Sequence, residues 1–284
     1  MSADDLDLAV VVLSYGPRQT ITDAVHSLLA QGSRAEIVIV HSGGGQPPDA
    51  LMAANPAVRL IVVNTRLYPG AARNVGVTST RAPYVAFLAD DCMAGTGWID
   101  HRIVRHRAGA RAVASALVCH KPYAPVALAA HLSLYCRRMP RANPSFALRY
   151  GVSYDRGLFA TYGLFREDLE SGEDTEFNQR LSPADAPHWA PEIVTVHQGA
   201  ESISAFFRSQ WSRGKRMARA WRALGAFGAS EVGRNALART GMILREMWDV
   251  IEPRQRVTAA LCVPLIVLGN ISYAYGALMS GARK

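Results

Sequence analysis

The sequence predicts an α/β fold in which a mostly parallel sheet is covered by helices on both faces. In the first third of the chain, apolar runs of strand length are continuous rather than alternating, as in strands that are buried on both sides. Segments with apolar residues at helical spacing separate these runs. With 49% hydrophobic and 19% charged residues, the 284-residue chain can bury a large core.

The first strand is predicted at Leu8–Ser14, and a helix follows at Thr20–Gln31. Thr20 is a candidate N-cap, and Gly32 is a candidate stop signal. The next elements are predicted in this order: strand Glu36–His41, a Gly/Pro loop from Ser42 to Asp49, strand Val58–Asn64, helix Pro69–Thr78, strand Tyr84–Leu88 and, further on, helix Val126–Arg138.

Parallel strands end at one edge of a sheet, and α/β folds bind their ligands at that edge. Ser14 and Tyr15 end the first predicted strand, and His41 and Ser42 end the second. We therefore expect these four residues to contact the ligand.

Two acidic motifs stand far apart in the sequence. One hydrophobic run ends in Asp90 and Asp91, and a second motif begins at Gly172 and contains Glu173 and Asp174. Carboxylates at the end of a strand can hold a divalent cation on a diphosphate, and a second acidic site can take a proton from an incoming nucleophile. A glycosyltransferase that uses a sugar nucleotide needs this division of labour.

Both motifs also have a purely structural interpretation. Asp90 and Asp91 would then end a strand and cap the following helix. Glu173 and Asp174 would be acids placed at a helix N-terminus, where they suit the helix dipole. In the same interpretation, Arg73 would form a structural ion pair with an aspartate.

Several segments, in the same order along the chain, resemble the family 2 glycosyltransferases of the GT-A fold, which are inverting enzymes that use nucleotide-activated sugars. The resemblance covers roughly residues 8–215 and rests on the following segments: Val10–Tyr15, Gly70–Gly76, Phe87–Cys92 with Gly97–Ile99, and Arg156–Gly163 with Phe165, Glu167 and Gly172–Asp174.

On the donor side, the acidic motif and the resemblance give Asp91 the role of direct ligand to Mn²⁺ or Mg²⁺. Asp90 is expected to contact the ribose or a metal-bound water. Arg73 and Asn74 lie where a helix would present them to the nucleotide or to the acidic motif. His197 is a candidate third metal ligand through its neutral imidazole, although a lone histidine also has a structural interpretation.

On the acceptor side, Asp174 is the candidate general base, and Glu173 would orient the acceptor or the base. In-line attack by the activated hydroxyl would invert the anomeric configuration. One departure from the family is that the second strand ends in His41 where an aspartate commonly contacts the nucleotide. The identity of the nucleotide therefore stays open.

The basic excess of the chain lies near its C-terminus. Residues 201–284 carry 13 basic and five acidic side chains, which is a net charge of +8. This equals the net charge of the whole chain. The helical segment Phe206–Arg222 interleaves these basic residues with aromatic ones, which suits an anionic membrane surface or a diphosphate. No nucleic-acid partner is expected, because no nucleic-acid module accompanies the pattern. Gln210–Gly214 resembles the post-catalytic helix of non-processive members, so we expect addition of a single sugar.

The segment Val257–Ala282 has no charged residue and exceeds the roughly 20 residues that cross a bilayer. Basic residues flank it at Arg254, Arg256, Arg283 and Lys284. We expect membrane attachment, either spanning or re-entrant, with kinks or a split at Pro264, Gly269, Asn270 and Gly276. The alternative is a tail that is buried in the core or in an interface between subunits.

The sequence therefore predicts a catalytic domain at 1–205, with its nucleotide-sugar half at about 1–110 and its acceptor half at about 111–205. A basic helical segment at 206–256 and an apolar tail at 257–284 follow it. The predicted function is metal-dependent transfer of one sugar to a lipid-linked or surface glycan. Because sugar nucleotides are cytosolic and the acidic N-terminus is unlike a signal peptide, the expected location is the cytoplasmic face of a bacterial inner membrane.

Two rival functions stay open. The first is a non-catalytic sugar-nucleotide-binding scaffold of a polysaccharide assembly complex, which the missing second-strand aspartate suggests. The second is a nucleotidyltransferase, which would normally carry a glycine- and basic-rich phosphate loop directly after the first strand. Ser14–Arg18 offers only a fragment of such a loop.

Overall fold

The computed structural model describes residues 6–16, 20–32, 35–44, 58–145, 151–223 and 228–280. The chain divides into two compact units. Unit 1 comprises residues 1–117 and 147–197, and unit 2 comprises residues 118–146 and 198–284. Residues 118–146, which the sequence places in the acceptor half, thus group with the C-terminal helices.

Unit 1 contains an eight-stranded sheet with the order β3-β2-β1-β4-β7-β6-β8-β5. The strands are β1 Leu8–Tyr15, β2 Ala35–Ser42, β3 Val58–Val63, β4 Tyr84–Ala89, β5 Cys92–Ala94, β6 Ala112–Cys119, β7 Val152–Asp155 and β8 His188–His197. Among the residues that the structure describes, the helices that accompany them are α1 Ile21–Leu29, α2 Pro69–Ser79, α3 Trp98–Arg107, α5 Gly157–Tyr162 and α6 Glu173–Arg180.

The sheet is parallel in one half and antiparallel in the other. β1 pairs in parallel with β2 and β4, and β2 pairs in parallel with β3. The pairings of β7 with β4 and β6, and of β5 with β8, are antiparallel. The prediction of a mostly parallel sheet is therefore right for the strand–helix repeats of the first ninety residues and has to be corrected for the rest.

Helices cover both faces of the sheet, as predicted. Alternate residues of β1 point to opposite sides, so Val10 and Val12 pack with α1 and α3, whereas Val11 packs with α2, α5 and α6. Every one of these β1 residues is fully buried, which explains the continuous apolar run in the sequence.

The predicted elements of the first third are confirmed to within about two residues at each end, which is the usual uncertainty of element boundaries. Gly32 ends the turn after α1 with φ +61°, in the left-handed region that glycine adopts without strain. The capping role of Thr20 is wrong, because its hydroxyl makes no capping hydrogen bond to the helix. Residues 45–49 of the predicted loop, and also Arg283 and Lys284, lie outside the described residues.

Unit 2 is helical. It contains α4 Pro125–Tyr135, α7 Ile203–Ala223, α8 Ala229–Val250 and α9 Arg256–Met279, with short 3₁₀ turns at Cys136–Arg138 and Pro253–Gln255. The apolar tail forms the single α-helix α9, which includes Pro264, so the predicted split into two helices does not occur. The stretch Pro253–Met279 is long and apolar enough to cross a membrane, although a third of its most apolar window is buried within the protein.

Candidate active site

Asp90 directly follows β4 and lies at the C-terminal end of the parallel strands. Its backbone N–H donates to the Leu13 carbonyl at 3.1 Å, which extends the ladder between β1 and β4 by one residue. The N–H of Tyr15 donates in turn to Asp90 Oδ2 at 3.3 Å. The side chain of Asp90 is buried, and its hydrogen bond fixes the point where the chain leaves β1.

Asp91 lies next to His197 because of a strand register. β5 begins directly after Asp91 and pairs with β8 so that Cys92 stands opposite His197. This register places His197 Nε2 at 4.0 Å from Asp91 Oδ2. The Asp91 side chain is 33% exposed and the His197 side chain 7%, so the carboxylate is the member of the pair that solvent and ligand can reach. The structure therefore brings the two predicted metal ligands together.

The donor set at this place fits a cation that shares its shell with phosphate and water. Across the described ranges, no group of three or more His, Cys, Asp or Glu side chains gathers as a metal site. Mg²⁺ and Mn²⁺ sites on diphosphates need only one or two protein ligands, and Asp91 and His197 would be enough for such a site. Cys92 donates its thiol to Asp91 Oδ1 at 3.6 Å. Burial and then the charge of Asp91 raise the pKa of the Cys92 thiol well above its usual range, so it stays protonated.

The ends of β1 and β2 carry a buried polar pair. Ser14 Oγ and His41 Nδ1 are 3.0 Å apart, across a register in which the two residues face each other. Ser14, His41 and Ser42 are all almost completely buried. His41 stands at the end of the second strand, where the resemblance described above predicts an aspartate. Of the four residues predicted at this edge, Tyr15 is the one that presents an exposed side chain.

Sequence reasoning missed a cationic and aromatic group beside Tyr15. The Arg66 guanidinium lies 5.1 Å from the centre of the Tyr15 ring and 5.7 Å from that of Tyr68. The Tyr15 ring packs so closely on Gly43 that a Cβ at Gly43 would overlap it. The sequence signal was an arginine two residues before a tyrosine at the start of α2, but only the fold shows that both meet Tyr15.

The glycines of α2 permit two close contacts. A Cβ at Gly76 would overlap the side chain of Val11 on β1, and a Cβ at Gly70 would overlap the carbonyl oxygen of Arg166. The helix therefore packs tightly between the parallel strands and the segment that precedes the second acidic motif. This contact explains the spacing of glycines in Gly70–Gly76.

Arg73 joins α2 to the second acidic motif. Its Nε donates to Glu173 Oε1 at 2.9 Å, and both side chains are mostly buried. The guanidinium also lies 4.6 Å from the centre of the Phe87 ring on β4. Although burial lowers the pKa of Arg73, the charges of Glu173 and Asp174 outweigh it and raise the pKa above its ordinary value. The ion pair that the sequence placed with an aspartate is thus made with Glu173.

Asn74 holds the chain that leads to the second motif. Its Nδ2 donates to the carbonyl of Phe165 and to Glu167 Oε1, each at 2.9 Å, and its Oδ1 accepts the Phe165 N–H at 3.0 Å. Because Asn74 is buried and makes these three hydrogen bonds, its observed role is to position the acceptor-side segment.

Asp174 stands in the first turn of α6. Gly172, with φ +89°, turns the chain into the helix, and Glu173 then points inward to Arg73. Asp174 Oδ1 accepts the N–H of Thr175 at 2.7 Å, and the carboxylate is partly exposed. Below it, burial and the charge of Asp174 raise the pKa of the Tyr154 hydroxyl. In this motif, Glu173 is therefore ion-paired inside the protein, whereas Asp174 is partly exposed.

Comparison with known proteins matches the family description Glycosyl transferase family 2 to residues 9–132. Succinoglycan biosynthesis protein ExoO of Rhizobium meliloti (strain 1021) is 39% identical over 88 residues, which are 30% of this chain and 25% of that relative. The aligned stretch thus spans a quarter of the relative's length.

Two solved structures are similar over nearly the whole chain. The mannosyltransferase PcManGT from Pyrobaculum calidifontis, in complex with GDP-Man and Mn²⁺, has a TM-score of 0.59 at 15% identity and covers 96% of this chain and 87% of its own. Residues 1–349 of S. aureus TarS, in complex with UDP-GlcNAc, have a TM-score of 0.52 at 13% identity and cover 95% and 92%. These likenesses confirm the predicted GT-A fold.

Proposed function

We propose that the chain transfers one sugar from a nucleoside diphosphate sugar to an acceptor hydroxyl and inverts the anomeric centre, because residues 9–132 match the family description Glycosyl transferase family 2. One observation carries the proposal. The short β5–β8 pairing brings Asp91 against His197 at the sheet edge of unit 1, where a diphosphate can be held.

On the donor side, Asp91 and His197 would hold Mn²⁺ or Mg²⁺. A bound cation of this kind offsets the charge that grows on the departing diphosphate. Asp90 holds the end of β1 in place through Tyr15 and would contact the ribose or a metal-bound water. The exposed Tyr15 ring, with Arg66 above it, offers a flat surface and a positive charge for the nucleotide.

On the acceptor side, Asp174 would take the proton from the acceptor hydroxyl as that oxygen attacks the anomeric carbon. Glu173 is tied to Arg73 and therefore acts as a positioning residue that fixes the first turn of α6. A positioned general base of this kind contributes about 10²–10⁴-fold to the rate.

The acceptor and the location extend this proposal. A relative named for succinoglycan biosynthesis supports a role in making a bacterial polysaccharide, so the proposed acceptor is a lipid-linked or surface glycan. The long apolar helix α9 supports attachment to the cell membrane. Because sugar nucleotides are cytosolic, the proposed position of the active site is on the cytoplasmic face of that membrane. Mannosyltransferase and TarS structures hold different nucleotides, GDP and UDP, so the donor stays open between them.

The test is calorimetric titration of the full chain with UDP, GDP and other nucleoside diphosphates, with and without Mn²⁺. We expect binding of one nucleotide that depends on Mn²⁺ and is abolished by Asp91→Ala. Asp100→Ala removes an exposed aspartate from α3 in the same unit and serves as the matched control, with unchanged binding.

The outcomes separate the candidate functions. Binding followed by slow hydrolysis of the sugar nucleotide, lost in Asp91→Ala, supports the transferase. Metal-dependent binding without hydrolysis or transfer to any glycan acceptor would favour the scaffold. Failure to bind any nucleotide in the presence of Mn²⁺ would overturn the proposal.

A further inference from the structure

Helix α9 exposes an apolar face along its whole length. From Val257 to Leu278 its exposed large side chains recur at spacings of three, four and seven residues, so they share one side of the helix, and the exposed Met279 follows at its end. They are Val257, Leu261, Leu268, Ile271, Tyr275, Leu278 and Met279. Within Arg256–Met279 there is no charged residue after Arg256, and the exposed face therefore offers lipid-like surface over a helix about 36 Å long.

The opposite face of α9 packs tightly inside unit 2. A Cβ at Gly276 would overlap the carbonyl oxygen of Trp211, and a Cβ at Gly214 would overlap the carbonyl oxygen of Tyr273. Ser272 Oγ also donates to the Phe207 carbonyl at 3.1 Å, and Gly269 gives room to the ring of Phe206. The glycines of α9 thus serve helix packing against α7.

The helices that cover this inner face carry charges where they touch α9. Arg213 of α7 interacts electrostatically with Tyr273 of α9, and the Arg239 guanidinium of α8 lies 4.8 Å from the centre of the Tyr273 ring. A transmembrane orientation of α9 would draw these arginines into hydrocarbon, at a cost of several kcal/mol each. Arginine at the centre of a span costs about 2.5–3.5 kcal/mol even by the mildest measure.

A tryptophan and a lysine mark the border of the exposed face. Trp211 contacts Gly276, next to the exposed Tyr275, and the Lys215 ammonium lies 4.4 Å from the centre of the Trp211 ring. Arg208, Lys215, Arg219 and Arg222 recur at spacings of seven, four and three residues, so they follow one side of α7. Tryptophan beside basic residues is typical of the border between lipid and water.

Unit 2 also concentrates the positive charge of the protein. It contains 17 Lys and Arg against five Asp and Glu, a net charge of +12, whereas unit 1 has a net charge of −4. An anionic surface complements this charge. A second copy of the chain does not, because a two-fold pairing through α9 would bring two basic borders together.

We propose that α9 docks unit 2 in the plane of an anionic phospholipid surface, with its outer face in the lipid and its inner face on α7. The helix lies parallel to the bilayer and does not cross it. This assignment deepens the proposed membrane location, and it needs neither donor nor acceptor. Its failure would therefore leave the transferase chemistry intact.

The first experiment measures sedimentation of the full chain with vesicles of mixed phosphatidylglycerol and phosphatidylcholine, and with vesicles of phosphatidylcholine alone. We expect strong binding to the anionic vesicles only. The pair Leu268→Glu and Ile271→Glu should weaken it at least about 30-fold, because two apolar side chains can no longer enter the lipid. Val104→Glu, at an exposed site on α3 of unit 1, is the matched control and should bind as the wild type does.

The second experiment measures depth. Single cysteines at Val257, Leu268 and Leu278 carry a fluorescent label, because the four native cysteines are buried and are poor targets. Quenching by brominated lipids should report one shallow depth for all three positions.

A third experiment tests the basic border. Arg208→Glu with Lys215→Glu should weaken binding to the anionic vesicles and leave the thermal unfolding of the protein unchanged, since both side chains lie on the outer side of α7.

Three results would overturn the proposal. A depth that changes steadily from Val257 to Leu278 would show a spanning helix. Equal vesicle binding by the wild type and the Leu268→Glu, Ile271→Glu variant would show that the face does not meet lipid. Light scattering that finds a wild-type dimer without vesicle binding, and a monomer for that variant, would show that a second copy covers the face.

Discussion

Glu173 and Asp174 are neighbours with opposite surroundings. Glu173 is buried and bound to the Arg73 guanidinium, so its negative charge is already compensated inside the protein. Asp174 follows it at the open end of α6 and is partly exposed. A proton acceptor has to reach its donor, so the exposed carboxylate is the better base and the buried one the better support.

Asp174→Asn should therefore lower turnover by at least about 100-fold, because the amide cannot accept the proton. The affinity for the donor nucleotide should stay nearly the same, since Asp174 acts on the acceptor. Steady-state transfer rates and nucleotide titration on the same preparation check both parts. Glu176→Gln, two residues further along the same helix and paired with Arg180, is the control that should keep its turnover. A similar rate in Asp174→Asn and the wild type would place the base elsewhere.

Single residues were partly predictable from the sequence. Asp91 and Asp174 stood out because each follows an abrupt change from apolar or glycine residues to acids. From the sequence, Asp91 and His197 could each be proposed as metal ligands, but their contact could not be predicted. It depends on the register between a three-residue strand and a strand about a hundred residues later. Arg66 and Tyr68 were missed, since their meeting with Tyr15 depends on how separate loops fold together.

At the scale of elements, small residues decide how closely the helices approach. Gly276 and Gly214 let the backbones of α9 and α7 touch, which side chains larger than hydrogen would prevent. From the sequence alone, Gly276 was a candidate position for a kink or split in a membrane segment. The periodic exposed and buried faces of α9 show instead that glycine here permits packing, and the helix stays continuous.

Gly276→Ala should lower the free energy of unfolding by about 1–3 kcal/mol, since the added methyl group overlaps the Trp211 carbonyl and pushes α9 from α7. Urea unfolding followed by tryptophan fluorescence measures the loss. Gly241→Ala on α8 is the matched control, because a Cβ there meets no atom within 4 Å. It should raise the stability by up to about 1 kcal/mol through helix propensity. Equal effects of the two substitutions would mean that the close contact does not exist.

Elements were easiest to predict where neighbours in sequence are neighbours in the sheet. The parallel strands β1, β2 and β4 are joined by short strand–helix repeats, and their apolar runs are long. In the antiparallel half, β5 and β7 were not legible, because they have three and four residues and pair with distant strands. Too few residues remain in such strands for a period to appear.

At the scale of the whole molecule, the two units differ in what holds them together. Unit 1 buries apolar residues on both faces of its sheet and places its carboxylates at the edge. Unit 2 packs helices through small residues and carries the positive charge. The charge asymmetry was predictable from the sequence, because it depends on composition alone. The grouping of residues 118–146 with the C-terminal helices was not predictable, because it depends on long-range contacts.

A buried histidine makes the stability of the protein depend on pH. His106 stacks on Tyr84, its Nδ1 donates to the Ala110 carbonyl at 2.7 Å, and its Nε2 accepts from the Ser153 hydroxyl at 2.8 Å. Arg102 donates to the same Ser153 oxygen, so a protonated His106 would bury a second positive charge beside the first. Burial, with a smaller contribution from Arg102, lowers the pKa of His106 to about 4.

The sign of the effect follows from where the proton binds. Below about pH 6.5 an unfolded chain protonates this histidine, whereas the folded protein keeps it neutral down to about pH 4. Stability should therefore be complete above pH 6.5 and fall by roughly 3 kcal/mol as the pH drops to 4. Urea unfolding at pH 7.5, 5.5 and 4.5 measures this loss. His106→Gln should flatten the slope in this range, because glutamine keeps a hydrogen-bonding side chain without titrating. His188→Gln, at an exposed position of the same unit, should keep the wild-type slope, and an unchanged slope in His106→Gln would contradict the assignment.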